Sequence, residues 1–258
     1  MARILVTGSS DGIGRETARQ LIAAGHEVVL HARNVARAGD ARRALPKAAG
    51  VVVGDLTSLT QVRNLAHTAA DAGPYDVVIH NAGVGGGSKV RTLTVDGLER
   101  VLHVNTVAPY LLTALMPAPK RLVYLTSGLQ SVGRANLDDL QWEKRDWDGM
   151  QAYSDSKLYD LMLSFAVARL WPKIITNGVD PGWIRTNMGG PDATDDLPEG
   201  AETQVWLASA HEPEALLSGR YLKRGVELKP NPQAVDVQLQ QALLAALAEI
   251  TGVELHRP

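Results

Sequence analysis

Six short runs of the chain are apolar on consecutive positions and rich in β-branched residues: RILVTG (3–8), EVVLHA (27–32), GVVVGD (50–55), YDVVIHNAG (75–83), RLVYLTS (121–127) and KIITNGVDPG (173–182). A strand wetted on one face alternates apolar and polar residues, so strands apolar on both parities need cover on both faces. Segments of helical period lie between them, near 13–24, 58–71, 94–116 and 153–170, and another follows at 235–249. This alternation predicts βαβ units and an α/β fold: a doubly wound parallel sheet of about seven strands with helices on both faces.

Composition narrows the remaining choices. The 258 residues suit one domain, read here as 1–258 with no linker or repeat. A net charge of −2 offers no case for nucleic acid or an acidic membrane surface. The absence of cysteine excludes disulfides, thiolate catalysis and cysteine metal sites. His31, His67 and His103 show no metal-ligand spacing, so no metal site is expected. The first residues enter a strand pattern at once and no run reaches 18 apolar residues, which makes a cytoplasmic location the expectation. Two segments, 128–150 and 183–200, carry Gly, Pro, Asp and Trp with few periodic apolar positions. They are too long for plain connections and read as substrate loops.

VTGSSDGIGRETA runs off the first strand into the first helix. Gly8, Gly12 and Gly14 meet three needs of a Rossmann-like dinucleotide turn: a tight bend, close backbone approach to pyrophosphate, and close helix–strand packing. The helix N-terminus adds free N–H groups and a positive dipole end.

Tyr153 and Lys157 form the one Tyr-x-x-x-Lys of the chain and fall in a helix pattern. Residues i and i+4 share a helix face. An ammonium one turn from a phenol, whose ordinary pKa is near 10, favours the phenolate and makes it a usable proton relay.

The Thr-Gly-x-x-x-Gly-x-Gly spacing resembles the short-chain dehydrogenase/reductase family, and further motifs follow in that family's order. HNAG (80–83), GDLTS (54–58), HVNTVAP (103–109), VYLTSG (123–128) and VDPGWIRTNM (179–188) resemble its strand ends and its catalytic helix. The resemblance implies a catalytic set of Asn105, Ser127, Tyr153 and Lys157. Ser127 would polarise a carbonyl, Asn105 would bind a water linking Lys157 to solvent, and Lys157 would hold the nicotinamide ribose. Ser10, Asp11, Ile13, Asp55, Leu56, Asn81, Ala82, Gly83, Pro181, Gly182, Ile184 and Thr186 would join the three glycines at the cofactor. Ser127, Leu129, Tyr153 and Trp183 would meet the substrate. The 25 residues between Ser127 and Tyr153 resemble the insertion of the retinol-dehydrogenase and carbonyl-reductase branches. Ser131 is a rival to Ser127, although Ser127 ends the strand directly. Trp142 and Trp147 in the insertion read as a core cap, with a substrate lid as the alternative. The insertion is placed to cover the family's two-fold helix interface, which favours a monomer.

The second strand speaks to the cofactor. An NAD enzyme of this fold carries an acid about 20 residues past the glycine loop. Here Ala32 stands in its place and Arg33 follows, 19 residues after Gly14, with Asn34 and Arg37 near. A guanidinium suits a 2′-phosphate by charge and by its planar donors. Asp11 is a mild counterweight. The expectation is an NADP-dependent enzyme interconverting an alcohol and a small-molecule carbonyl, apolar by the Leu, Met and Trp of its loops. A nucleotide-binding redox sensor is the competing class, and it would have no need of the four catalytic residues together.

Overall fold

The computed structural model describes residues 1–256. Its sheet comprises β1 (Arg3–Val6), β2 (Glu27–Ala32), β3 (Gly50–Val53), β4 (Val77–His80), β5 (Arg121–Leu125), β6 (Ile175–Val179), β7 (Tyr221–Lys223) and β8 (Val226–Glu227). In space they run β3-β2-β1-β4-β5-β6-β7-β8. All pair in parallel except β8, which returns antiparallel on β7. The sheet therefore has eight strands against the seven expected. The eighth is two exposed residues, too short for any periodicity.

Helices flank both faces: α1 (Gly12–Ala23), α2 (Val35–Ala44), α3 (Leu59–Asp71), α4 (Arg100–Leu102), α5 (Ala108–Leu115), α6 (Gly149–Leu170), α7 (Leu197–Ser209) and α8 (Val237–Thr251). A π-helical turn, His103–Val107, joins α4 to α5. The strand alternation explains the two-parity runs. Ile4 and Val6 of β1 pack with Ala18 and Leu21 of α1, whereas Leu5 joins the opposite layer with α3, α5 and α6. In β2, Val28 and Leu30 face the first layer and Val29 the second.

Two helices had no sequence signal. α2 buries Ala41 alone, so it has no apolar stripe to read. α7 buries Gly200, Ala201, Thr203, Gln204, Leu207 and Ala208, small or polar residues apart from Leu207, and packs closely on α1. Gln204 Nε2 donates to Thr17 Oγ1 of α1 at 3.1 Å. The long helix begins at Gly149, four residues before the predicted start, because the Asp148 carboxylate caps it by accepting from the Met150 and Gln151 N–H groups.

Strand order reverses between β1 and β4, so the loops leaving them diverge and open a crevice at the carboxyl edge. Thr7 fastens its floor: Oγ1 accepts from the Asn81 and Ala82 N–H groups, both at 3.0 Å.

Candidate active site

The glycine loop builds one wall of the crevice, and the structure divides labour among its glycines. Gly8 has φ 64°, and a Cβ there would lie 2.8 Å from the Ala82 Cα. A Cβ on Gly14 would lie 2.3 Å from Asn81 Nδ2 and 2.5 Å from the Gly8 carbonyl. Gly8 thus makes the turn and Gly14 lets α1 seat against the strand ends. Gly12 meets only Thr186, at 3.5 Å, and leaves the N-terminus of α1 open.

Asp11 caps α1 by accepting from the Gly12 N–H at 2.8 Å. Its carboxylate also receives Asn187 Nδ2 at 3.0 Å and lies 3.5 Å from both Arg15 and Arg37. Partial burial works against the charge, but the Gly12 amide and the two guanidiniums outweigh it and hold the Asp11 carboxyl below its usual range. His31 is buried beneath the loop. Its Nδ1 accepts from the Gly8 N–H at 2.9 Å, so Nε2 carries the proton and donates to the Gly54 carbonyl at 2.9 Å. Burial lowers its pKa and keeps the ring neutral.

A cavity of about 580 Å³ fills the crevice. Gly8, Ser10, Asp11, Gly12, Ile13, Gly14, Arg33, Asp55, Leu56, Asn81, Ala82, Gly83, Tyr153, Lys157, Pro181 and Thr186 line it. Two residues expected at the cofactor do not. Gly182 stands against Asp195, whose Oδ2 would lie 2.3 Å from a Cβ there, and Ile184 is buried against Gly200 of α7. Lining residues without a sequence signal include His31, Arg100, Val104, Thr126 and Asn187. The loop after β4 carries a triple glycine at 85–87. A Cβ on Gly86 would lie 2.7 Å from the Tyr153 Cβ, so this loop lies directly against the start of α6.

Tyr153 and Lys157 stand one turn apart on α6, the Lys157 nitrogen 5.8 Å from the Tyr153 ring centre. Lys157 Nζ donates to the Leu125 carbonyl at 2.9 Å and to Asp160 Oδ2 at 2.7 Å, leaving one N–H for the cavity. Burial alone would lower the Lys157 pKa; the Asp160 carboxylate overrides it and raises the value, so the amine stays an ammonium. Thr126 Oγ1 donates to the Lys157 carbonyl at 2.6 Å and ties α6 to the end of β5.

Asn105 lies in the π-turn, fully enclosed. Its Oδ1 accepts from the Val84 N–H at 2.8 Å, and Nδ2 donates to the Val84 carbonyl at 3.1 Å and to Ser156 Oγ at 2.9 Å. Both amide hydrogens are spent, so a water here would be held by oxygen atoms. The side chain instead locks the loop after β4 to α6.

Ser127, Leu129 and Trp183 lie outside the cavity wall. Ser127 lies two residues past β5 and caps a 3-10 turn, Gly128–Val132, with Oγ accepting from the Leu129 N–H at 3.2 Å. Among the described residues, its hydroxyl hydrogen has no acceptor. Ser131 donates to the Gly128 carbonyl at 2.8 Å, turned into its own loop. Leu129 and Trp183 are exposed, with Trp183 Nε1 donating to the Gly189 carbonyl at 2.9 Å. Leu125 and Thr126 line the cavity, whereas the next residue, Ser127, does not.

The insertion packs as a cap. Trp142 is buried, meets Trp147 edge-on at 5.6 Å, and carries Arg145 over its ring at 3.5 Å. Arg145 reaches the buried Asp155 of α6 at 3.2 Å, and Trp147 Nε1 donates to the Ser88 carbonyl at 2.9 Å.

Comparison with known proteins identifies the family. Residues 2–128 match the short chain dehydrogenase family. Short-chain dehydrogenase chyC of Penicillium rubens is 38% identical over 258 residues, spanning 99% of each chain. Human retinol dehydrogenase 14 is 33% identical over 283 residues, spanning 93% of this chain and 83% of that one. The crystal structure of a blue fluorescent protein from a metagenomic library, in complex with NADPH, superposes with a TM-score of 0.70 at 25% identity over 86% of this chain and 95% of that one. The chain belongs to the short-chain dehydrogenase/reductase family of oxidoreductases.

Proposed function

We propose that the protein is an NADP-dependent oxidoreductase that interconverts an apolar aldehyde or ketone and its alcohol, with Tyr153 as proton donor and acceptor. The observation that carries this reading is the convergence of Tyr153 and Lys157 on the crevice that the glycine loop also lines. A nicotinamide bound there supplies or accepts the hydride. Tyr153 moves the proton on the substrate oxygen, and the Lys157 ammonium favours the phenolate form in which Tyr153 can receive it. Ser127, with its hydroxyl hydrogen uncommitted, steadies negative charge on that oxygen. Met188 on the cavity wall and the exposed Leu129, Met150 and Trp183 favour an apolar substrate.

The residues present suit a phosphorylated dinucleotide. The open N-terminus of α1 suits pyrophosphate. Arg33 and Arg37 stand on the cavity wall where an NAD enzyme would carry an acid, and the acid that does line it nearby, Asp11, has its charge taken up by Arg15, Arg37 and the Gly12 amide. The complex of the metagenomic relative with NADPH points the same way.

Tyr153→Phe removes the proton donor and little volume. It is expected to abolish turnover across a panel of aldehydes, ketones and alcohols while NADPH binding, followed by nucleotide fluorescence, persists. A variant that keeps most of its activity overturns the assignment.

A further inference from the structure

Asp160 lies one turn beyond Lys157 on α6, and it has no part in the family resemblance drawn above. Both side chains are enclosed, Lys157 with 6% and Asp160 with 4% of the side chain exposed, and they meet at 2.7 Å. Among the described residues, Lys157 is the one cation paired with Asp160. The second carboxylate oxygen, Oδ1, is buried and has no hydrogen-bond partner among the described residues. From β5, Tyr124 faces the same region. Its hydroxyl is committed to Thr113 Oγ1 at 2.6 Å, and Thr113 leads on to His80 Nε2 at 3.0 Å.

This geometry is costly unless the pair acts as a unit. An isolated ammonium in such a place readily gives up its proton, and an isolated carboxylate readily takes one. Lys157 also lines the cavity, so its charge and direction bear on what binds there. A pair that served the core alone would have no reason to include a residue on the cavity wall.

We propose that Asp160 is a positioning residue of the active site, whose buried carboxylate keeps Lys157 charged and aims its remaining N–H into the cavity. The proposal rests on the functional reading given above, in which the Lys157 ammonium serves both the nucleotide and Tyr153. Asp160 restrains Lys157 from deprotonating at alkaline pH. Burial in turn raises the Asp160 carboxyl, with Lys157 opposing that rise.

Two measurements test it. In Asp160→Asn, which keeps the shape and removes the charge, the alkaline limb of the pH–rate profile is expected to move down by about a unit or more, and NADPH affinity at pH 8 to fall about tenfold. Asp160→Glu, which restores the charge with a longer reach, is expected to recover part of both. Asp160→Asn with the wild-type pH profile and wild-type affinity overturns the proposal. The second measurement reads no turnover at all. Lys157→Met leaves the Asp160 carboxylate buried without its cation, so Lys157→Met/Asp160→Asn is expected to melt several degrees above Lys157→Met alone. A double variant no more stable than Lys157→Met overturns the pairing, even if Asp160→Asn by itself proves too unstable to assay. Failure of the proposed function would instead show as absent turnover in the wild-type protein, with the melting cycle unaffected.

Discussion

Arg33 and Arg37 stand at the same end of the crevice, yet only one is committed. Arg37 reaches Asp11 at 3.5 Å and Ser10 Oγ at 3.4 Å, whereas Arg33 is exposed and makes no ion pair among the described residues. Asn34 spends its side-chain oxygen capping α2, accepting from the Arg37 N–H at 2.9 Å. A 2′-phosphate would therefore depend most on Arg33. Charge-assisted hydrogen bonds contribute about 1.5–3 kcal/mol, about ten- to a hundredfold in affinity. Arg33→Ala is expected to remove that much of the NADPH-over-NADH ratio in kcat/KM with little change in kcat at saturating cofactor. Equal use of NADH by the wild-type protein sinks the NADP assignment. His80 supports a second prediction at this scale. Its ring lies 4.7 Å from that of Tyr124, tilted by 34°, and burial pushes its pKa from 6.5 down to about 3. The folded state resists a proton that the unfolded chain accepts near pH 6.5, so stability is full above that pH and declines as pH falls from about 6.5 toward 3. His31 and His103, also lowered by burial, add to the same slope. In a thermal-unfolding series, His80→Asn is expected to decline less steeply than wild type over that window. Parallel curves would show that His80 does not supply the linkage.

Among the elements, the insertion before α6 decides how rigid the site is. Its two tryptophans and Arg145 form a compact knot against α6, held through Asp155, two residues past Tyr153. Burial raises the Asp155 carboxyl, while Gln151, the Arg134 N–H and Arg145 oppose that rise. Removing Arg145 leaves a carboxylate with 1% of its side chain exposed and no cation. Breaking a fully buried pair costs about 3–5 kcal/mol. Since 24% of the Arg145 side chain meets solvent, the expected loss for Arg145→Met is about 1–3 kcal/mol. Urea unfolding measures it. A loss under about 0.5 kcal/mol, accompanied by a large change in kcat, would mark the insertion as a moving lid rather than a cap. The structured elements missed from sequence, α2 and α7, share one cause. Helical periodicity is visible only where a helix buries a stripe of large apolar side chains; α2 buries one alanine, and α7 buries glycine, alanine and polar groups with Leu207 as its one large apolar side chain.

For the whole molecule, the question is what covers α5 and α6, which the family resemblance places at a two-fold interface. Here the chain covers them itself. Residues 108–113 of α5 and 154–167 of α6 are all buried. Tyr110 donates to the Val253 carbonyl at 2.7 Å and Trp171 to the His256 carbonyl at 3.0 Å, drawing the C-terminal segment across this side. A monomer near the chain mass of 27.7 kDa is therefore expected by light scattering, and a stable dimer or tetramer would refute it. The sequence alone determined whatever is encoded by short-range repetition: two-parity apolar runs that demand a sheet covered on both faces, a glycine turn between first strand and first helix, and a Tyr–Lys pair one helical turn apart. Tertiary structure alone decided which glycine bends and which one packs, that His31 braces the glycine loop, and that Ser127 and Trp183 fall outside the cavity wall. It also decided that Asp160 is enclosed with Lys157. Their spacing is visible in the sequence. Their burial is not, because it depends on β5 and on chain segments far from α6 in sequence, and only burial turns that spacing into chemistry.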